Sequence, residues 1–339
     1  MKKILMLTTG GTIACKQTDD GLAPGLTPEE LLSYVPAINE ICNVDSLDVC
    51  HLDSTNVTPT HWRMLVHAIE DNYDKYDGFV ICHGTDTLAY TAAALSYMIQ
   101  NSKKPIVITG AQRPIDMDMT DARSNLLDSF IYAADDGSQN VSIVFDGKVI
   151  VGTRARKERS KSFDAFSSLN FPVPAVIQDG MLVRYIEEAP IKDAVRFCYD
   201  MSESICTLKL IPGMRPEILS YLFENYDCIV IESFGVGGIP QTLVDAFYSE
   251  MSKWQGRGKC VVMTTQIAKE GSHMTVYEVG KKVKQDFGLI EAYDMTFEAT
   301  ITKLMWILGS GQSDYDSIRR LFYTRINNDI LFTKRIENE

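Results

Sequence analysis

The sequence predicts an α/β protein with two α/β domains: a larger N-terminal domain with a mixed or mainly parallel sheet flanked by helices, and a smaller C-terminal parallel one. Short apolar runs alternate with helical patterns through most of the chain, which indicates βαβ units. A length of 339 residues favours more than one core. Because the pattern loosens over 180–200, we place the domains at 1–190 and 206–339, with a linker at 191–205.

The N-terminal series begins with an apolar strand that ends at residues 8–14, which read TTGGTIA. A polar loop is predicted over 16–25. Thr27 and Pro28 then match a helix N-cap and first turn, which predicts a helix over 29–34. A strand is predicted over 41–52. The same Thr-Pro signal at 58–59 starts a helix whose apolar positions Trp62, Leu65 and Ile69 face the core.

The remaining elements follow from apolar runs bounded by turn residues. In the first domain these are strands over 78–82 and 105–109, helices over 88–98 and 124–134, and a hairpin of 141–145 with 149–151 around Asp146-Gly147. In the second domain they are strands over 207–211, 228–233 and 260–265, with helices over 216–225, 242–254 and 298–308. Three short strands separated by helices predict a small parallel sheet.

Composition excludes several classes of protein. The net charge of −12 argues against nucleic acid and against an anionic membrane surface, since both need clustered Lys and Arg. No apolar run approaches the length of a membrane span, and the first one is too short for a signal peptide. The eight cysteines form no CxxC pair, so we expect buried free thiols in a reducing cytoplasm. The five histidines show no metal-ligand spacing, so we expect no metal.

Two strand ends carry hydroxyl groups. Thr12 follows two glycines, which allow a sharp turn and close approach to a ligand, and is a candidate nucleophile; a helix N-cap is the alternative that this segment leaves open. Residues 83–87 read HGTDT and place Thr85 beside Asp86, where the alternative is again a helix cap. His83 could be a general base, but a hydrogen-bonded structural imidazole fits better. Ligands of open α/β sheets bind at this edge.

Two further segments carry polar groups, and each has an ordinary structural alternative. Asp53, Ser54 and Thr55 could hold a polar ligand or form an ordinary turn. Lys157 could be a base to a Thr hydroxyl, yet it lies in a run of alternating charges that is typical of a solvated face.

Taken together, these motifs resemble those of the bacterial-type L-asparaginases, specifically the cytoplasmic type I enzymes. The matching segments are TGGTIA at 9–14, DS at 53–54 followed by TP at 58–59, HGTDT at 83–87, TGAQRP at 109–114, and Lys157 followed by FDAF at 163–166. The resemblance runs from the first residue into the C-terminal domain.

The resemblance implies hydrolysis of L-asparagine to L-aspartate and ammonia without a cofactor. It implies that Thr12 attacks the side-chain amide to form an acyl-enzyme and that Lys157 helps to deprotonate Thr85. It also implies that Asp86 binds the substrate ammonium group. Asp53, Ser54 and Thr55 would hold the α-carboxylate and amine end. A homodimer or homotetramer in the cytoplasm is expected.

The sequence departs from the family pattern in two features. Leu22 lies where many members have a Tyr that closes over the site, and Glu232 and Ile267 replace an Arg and a Cys of an allosteric asparagine site. We therefore expect that allosteric site to be absent or altered.

Two other functions remain open as alternatives. One is the amidase subunit of a tRNA-dependent amidotransferase, which normally carries an extra N-terminal domain, whereas this acidic chain starts directly at the catalytic strand. The other is a non-catalytic amino-acid-binding protein of the same fold.

Overall fold

The structure, a computed structural model, describes residues 1–18, 21–254, 256–276 and 278–331, without the side chains of 17, 18 and 22–24. The chain divides into two compact units, Met1–Tyr199 and Asp200–Glu339. This division falls inside the stretch 191–205 that the sequence suggested as a linker. Each unit is described by itself below.

The N-terminal unit contains most of the strands. Its strands are β1 Lys3–Gly10, β2 Cys15–Thr18, β3 Gly21–Pro24, β4 Asn43–Leu52, β5 Gly78–Cys82, β6 Ile99–Gln100, β7 Ile106–Thr109, β8 Val141–Phe145, β9 Lys148–Val151, β10 Ala155–Lys157, β11 Phe166–Ser168, β12 Ala175–Gln178, β13 Met181–Arg184 and β14 Arg196–Phe197. Its helices are α1 Pro28–Ser33, α2 Ile38–Ile41, α3 Pro59–Glu70, α4 Leu88–Met98 and α5 Ala122–Ala134.

The main sheet of this unit is mixed, as predicted. Its described strands lie in the order β13-β12-β9-β8-β7-β5-β1-β4. Strands β8, β7, β5, β1 and β4 are parallel, and the others are antiparallel to their neighbours. Because β4, β1 and β5 are adjacent and parallel, the turns that follow them meet at one edge of the sheet.

Burial explains why these elements form where they do. Strands β5 and β7 are buried along their whole length, as expected of a sheet covered on both faces. Helix α4 is buried along nearly all of its length, and its small Ala side chains allow close packing. Helix α3 buries Trp62, Leu65 and Ile69, which confirms the predicted core face.

Local signals also produced the expected turns and caps. The Thr27 hydroxyl accepts from the Glu30 N–H at 3.2 Å, and the Glu30 carboxylate accepts from the Thr27 N–H at 2.8 Å, forming a capping box. The predicted hairpin of β8 and β9 is confirmed, and Asp146 and Gly147 both have positive φ, as a tight hairpin turn requires.

Two predictions for this unit need correction. The stretch predicted as a polar loop over 16–25 contains an antiparallel hairpin of β2 and β3, because backbone pairing between its two arms does not require an apolar pattern. The strand predicted from residue 41 begins at Asn43, and the residues before it form α2. The short strands from β10 to β14 were not predicted.

The C-terminal unit contains a four-stranded parallel sheet in its described part, in the order β15-β16-β17-β18. The strands are β15 Ile205–Lys209, β16 Cys228–Ser233, β17 Cys260–Thr265 and β18 Ile290–Glu291; the helices are α6 Glu217–Asn225, α7 Gln241–Trp254, α8 Glu278–Phe287, α9 Phe297–Gly309 and α10 Tyr315–Tyr323. The parallel class is confirmed, but the predicted count of three strands is wrong, since β18 is too short to give an apolar run.

Helices α8 and α10 of this unit were also missed by the sequence analysis. Both are amphipathic surface helices with few buried positions, such as Val283 in α8 and Ile318 in α10. In the described part of the chain, no helix has both the length and the apolar character needed to cross a membrane.

Candidate active site

The turns after β1 and β5 pack against each other at the carboxyl edge of the N-terminal sheet. A side chain on Gly11 would place its Cβ 2.4 Å from the Gly84 Cα, and Gly11 has a φ of +80°. A Cβ on Gly84 would lie 2.6 Å from the Ser54 Oγ. The turns after β4, β1 and β5 can approach this closely because Gly11 and Gly84 have no side chain.

A pocket of about 240 Å³ opens where these turns meet. Its volume lies below the range of roughly 300–1,000 Å³ found for drug-sized ligands, so it suits a small molecule. The lining residues come from the ends of three adjacent strands: Gly11, Thr12, Cys15, Leu52, Asp53, Ser54, Gly84, Thr85 and Asp86. Five of the seven residues singled out from the sequence therefore lie around one cavity.

Lys157 contacts two of these lining residues from the β10–β11 hairpin. Its Nζ donates to Thr85 Oγ1 at 2.7 Å and to Asp86 Oδ1 at 2.6 Å. The Lys157 side chain is 18% exposed, whereas that of Asp86 is 58% exposed. The charge run of residues 154–159 thus includes a lysine that turns inward to a hydroxyl and a carboxylate.

The Thr12 hydroxyl differs from that of Thr85, which accepts a hydrogen bond from Lys157. Thr12 begins a single turn of 3₁₀ helix at residues 12–14 and is half-buried. Within the described ranges, its side chain makes no hydrogen bond, and its backbone N–H and that of Thr85 donate none either. The Thr12 hydroxyl and the N–H groups of Thr12 and Thr85 are therefore available to a bound ligand.

Asp53 and Thr55 form a turn of their own beside the pocket. Asp53 Oδ1 accepts from the Thr55 N–H at 2.9 Å and from the Thr55 hydroxyl at 3.0 Å. Asp53 and Ser54 line the pocket, whereas Thr55 is exposed and outside its lining. Thr55 thus orients the Asp53 carboxylate, and the Thr87 hydroxyl holds the same turn by donating to Ser54 O at 2.8 Å.

Gln112 connects the Thr85 turn to the loop that follows Lys157. Its Nε2 donates to Arg159 O at 3.2 Å and to Ser162 O at 3.1 Å. Because carbonyl oxygens only accept, the amide orientation is fixed and Oε1 faces the Thr85 hydroxyl, at 3.4 Å. Gln112 belongs to the TGAQRP segment that carries the family resemblance, but no local pattern of the sequence predicts a role for it.

Cys15 is a pocket residue that the sequence analysis placed among ordinary buried thiols. It is 8% exposed, and its Sγ donates to Gly11 O at 3.3 Å. Burial raises the pKa of this thiol, and the Asp53 and Asp116 carboxylates raise it further. Cys15 therefore stays protonated near neutral pH and supports the turn that carries Thr12.

His83 lies behind the pocket. Its side chain is 1% exposed, and burial lowers its pKa to about 4. Both ring nitrogens are engaged, Nδ1 by Gly84 O at 2.7 Å and Nε2 by the Thr91 hydroxyl at 3.0 Å. This placement suits the structural role that the sequence favoured rather than that of a general base. Across the described residues, no group of three or more His, Cys, Asp or Glu could hold a metal ion.

Comparison with known families gives matches over both units. A model described as "Asparaginase, N-terminal" matches residues 3–190, and one described as "Glutaminase/Asparaginase C-terminal domain" matches residues 204–322.

Individual relatives are similar over nearly the whole chain. An L-asparaginase of Thermococcus kodakarensis is 38% identical over 97% of this chain and 99% of its own length. A solved structure of the thermostable L-asparaginase from that organism has a TM-score of 0.88, with 36% identity over 97% of this chain and 99% of that one. L-asparaginase 1 of Escherichia coli K12 is 32% identical over 97% of this chain and 98% of its own. A glutamyl-tRNA(Gln) amidotransferase subunit of Pyrococcus abyssi is 31% identical over 97% of this chain and 77% of its own.

Proposed function

Because this chain belongs to the asparaginase family, we propose that it hydrolyses the side-chain amide of L-asparagine to give L-aspartate and ammonia. We further propose that the reaction passes through an acyl-enzyme on Thr12. The observation that carries the proposal is the pocket itself. There the Thr12 hydroxyl, which has no hydrogen bond to another described residue, meets two carboxylates and a lysine–threonine pair in a volume suited to one amino acid.

Amide hydrolysis needs a nucleophile, and Thr12 has the features that support this role. Its hydroxyl lines the pocket, and no hydrogen bond to another described residue needs to be broken before attack. In the proposed first step the Thr12 oxygen bonds to the amide carbon, the C–N bond breaks, and the Thr12 proton leaves with the nitrogen as ammonia. Water then adds to the ester and releases aspartate, which restores the Thr12 hydroxyl.

Proton transfer is proposed to involve Thr85 and Lys157. A hydroxyl is a weak nucleophile at neutral pH unless a base accepts its proton. Lys157 Nζ lies 2.7 Å from Thr85 Oγ1, so a neutral amine there could remove the Thr85 proton. We assign this pair to activation of Thr12 or of the hydrolytic water.

The charges of the pocket support a zwitterionic amino acid as substrate. Asp53 and Asp86 are carboxylates that would attract an α-ammonium group. Ser54 adds a hydroxyl for the α-carboxylate. The N–H groups of Thr12 and Thr85, which donate no hydrogen bond to a described residue, could bind either that carboxylate or the oxyanion that forms during attack.

Ammonia release measured with L-asparagine, L-glutamine and D-asparagine tests the proposal and gives selectivity at once. We expect release from L-asparagine, and we expect Thr12→Ala to lower kcat by about 10⁴-fold or more because the nucleophile is lost. Thr60→Ala is the matched control, since that exposed hydroxyl accepts a hydrogen bond from the Arg63 side chain on α3 and lies outside the pocket lining. An unchanged kcat in Thr12→Ala would exclude Thr12 as the nucleophile. A wild-type protein that binds asparagine without releasing ammonia would instead favour the non-catalytic reading.

The amidotransferase relatives favour a second candidate function, that of the amidase subunit of a tRNA-dependent amidotransferase. The amidotransferase subunit of Pyrococcus abyssi matches nearly all of this chain, whereas the chain spans about three quarters of that protein's length. An amidase subunit of that kind would need a partner to use the ammonia that it releases. Multiple turnovers with free L-asparagine and the purified chain alone would argue against this role.

A further inference from the structure

A set of buried polar side chains lies directly behind the Thr85 turn, and the proposed reaction does not use it. Trp62 on α3 and Thr91 on α4 are 5% and 0% exposed, and His83 follows β5. Trp62 Nε1 donates to Thr91 Oγ1 at 3.0 Å, and the same oxygen lies 3.0 Å from His83 Nε2. His83 Nδ1 lies 2.7 Å from Gly84 O.

The chemistry of these partners fixes every proton in the set. Gly84 O can only accept, so His83 Nδ1 carries the ring proton. The imidazole is neutral at physiological pH because burial lowers its pKa to about 4. Nε2 is therefore an acceptor, and the Thr91 hydroxyl donates to it while accepting from the Trp62 indole. Each buried polar atom has one partner of the right kind.

The carbonyl of Gly84 determines where the next N–H points. A peptide bond is planar and trans, so the Gly84 C=O and the Thr85 N–H point in opposite directions. The carbonyl is directed at the buried imidazole, and the Thr85 N–H must therefore point away from it. Thr85 lines the pocket, and within the described ranges its N–H donates no hydrogen bond.

We infer that Trp62, Thr91 and His83 form a positioning relay that turns the Thr85 N–H toward the pocket. The inference deepens the proposed function and rests on it for the identity of the bound ligand. The N–H would there meet the oxyanion that develops on the substrate amide during attack. Tight packing supports a single orientation of this peptide, since Gly84 lies against both Gly11 and Ser54.

Thr91→Val tests the relay, because it keeps the shape of the side chain but removes the hydroxyl between indole and imidazole. We expect kcat for ammonia release to fall by roughly 10- to 100-fold with KM little changed, since one transition-state donor loses its direction. Thr91→Ser keeps the hydroxyl and should restore kcat. Thr302→Val is the matched control, because Thr302 is equally buried in a helix but donates to the backbone carbonyl of Glu298.

A second measurement separates this inference from the proposed function. The chain has five histidines, so an NMR spectrum with selective ¹⁵N labelling of their rings contains few signals. The signal that disappears in His83→Gln belongs to His83. We expect the wild-type His83 ring to be neutral with its proton on Nδ1, and Thr91→Val to disturb that signal. An inactive wild-type chain that keeps this signal would overturn only the proposed function. A proton on Nε2, or a Thr91→Val variant with wild-type kcat, would overturn only the relay.

Discussion

The two units of the chain end their parallel strands in similar hydroxyl-rich turns, yet two hydroxyls of the N-terminal unit, those of Thr12 and Thr85, are used differently. In the C-terminal unit, Ser233 Oγ donates to Thr264 O at 2.6 Å, and the Thr265 hydroxyl donates to Gly235 O. In the N-terminal unit, Thr12 Oγ1 has no partner in the described part of the chain, and Thr85 Oγ1 accepts from a lysine.

This difference shows why sequence composition at a strand end does not identify a reactive site. A hydroxyl that donates to a backbone carbonyl stabilises the turn, and its proton is already committed. A hydroxyl beside a titratable amine can exchange its proton with that amine. The two glycine positions at Gly11 and Gly84 bring the N-terminal turns close enough to enclose a pocket, whereas the Ser233 and Thr265 hydroxyls are held by neighbouring backbone.

Lys157→Met tests the contact between Lys157 and the Thr85 hydroxyl. Of the variants that change the Thr85 turn, we expect this one to lower kcat the most. The variant keeps an unbranched side chain as far as Cε but removes the amine, so Thr85 would resemble the carbonyl-bound hydroxyls of the other unit. We expect kcat to fall by about 10³-fold, or about 4 kcal/mol in the activation barrier. Ammonia release and a thermal melt measure activity and folding separately.

The control for Lys157→Met is Lys161→Met, which removes an exposed amine in the same loop. It should leave kcat unchanged. Since Asp86 is largely exposed, loss of its partner should change stability little. A Lys157→Met variant with wild-type kcat would remove the proposed distinction between the two kinds of strand end.

Part of this arrangement could be predicted from the sequence. The strands Gly78–Cys82, Cys228–Ser233 and Cys260–Thr265 and the helix Leu88–Met98 were predicted with the bounds that the structure has. Each is an apolar segment that is nearly all buried and ends at a turn, so the local pattern determines it. The hydroxyl-bearing turns could be found for the same reason.

The contacts that position these turns could not be read from local patterns. Lys157 lies in a run of charges, and its contacts with Thr85 and Asp86, 72 and 71 positions away, show that this run is not a simple solvated face. Gln112 bridges residues about 27 and 50 positions away, beyond the reach of periodicity. The resemblance to a family supplied the role of Lys157, and nothing supplied one for Gln112.

The dependence of folding stability on pH gives a second test of the comparison. The N-terminal strand end packs against the imidazole of His83, which is buried in its neutral form. The pKa of His83 falls from 6.5 to about 4 in the folded chain, so the unfolded chain binds the proton more readily between these values. Stability from this group is present above pH 6.5 and is lost as pH falls to about 4. This difference in pKa corresponds to about 3 kcal/mol in the free energy of unfolding.

Chemical denaturation of wild type and His83→Gln from pH 7 to pH 4 measures this contribution. The introduced glutamine would stay neutral throughout, so the difference between the two proteins isolates His83 from other titrating groups. We expect wild type to lose about 3 kcal/mol more than the variant over this range. Parallel curves for the two proteins would show that His83 is not held neutral by burial.

The smallest expected effect comes from the C-terminal strand end, and it sharpens the contrast with Thr12. Ser233→Ala removes a buried hydroxyl that donates to Thr264 O, so we expect the free energy of unfolding to fall by about 1 kcal/mol, the value of one hydrogen bond. We expect kcat and KM to stay at wild-type values. Thr12→Ala should give the opposite pattern, because its half-buried hydroxyl has no described partner whose loss would destabilise the fold. Thermal melts and ammonia release on both variants test the pair together. If Ser233→Ala lowered kcat while leaving the melt unchanged, the hydroxyls of the C-terminal strand end would have to be counted with the reactive ones.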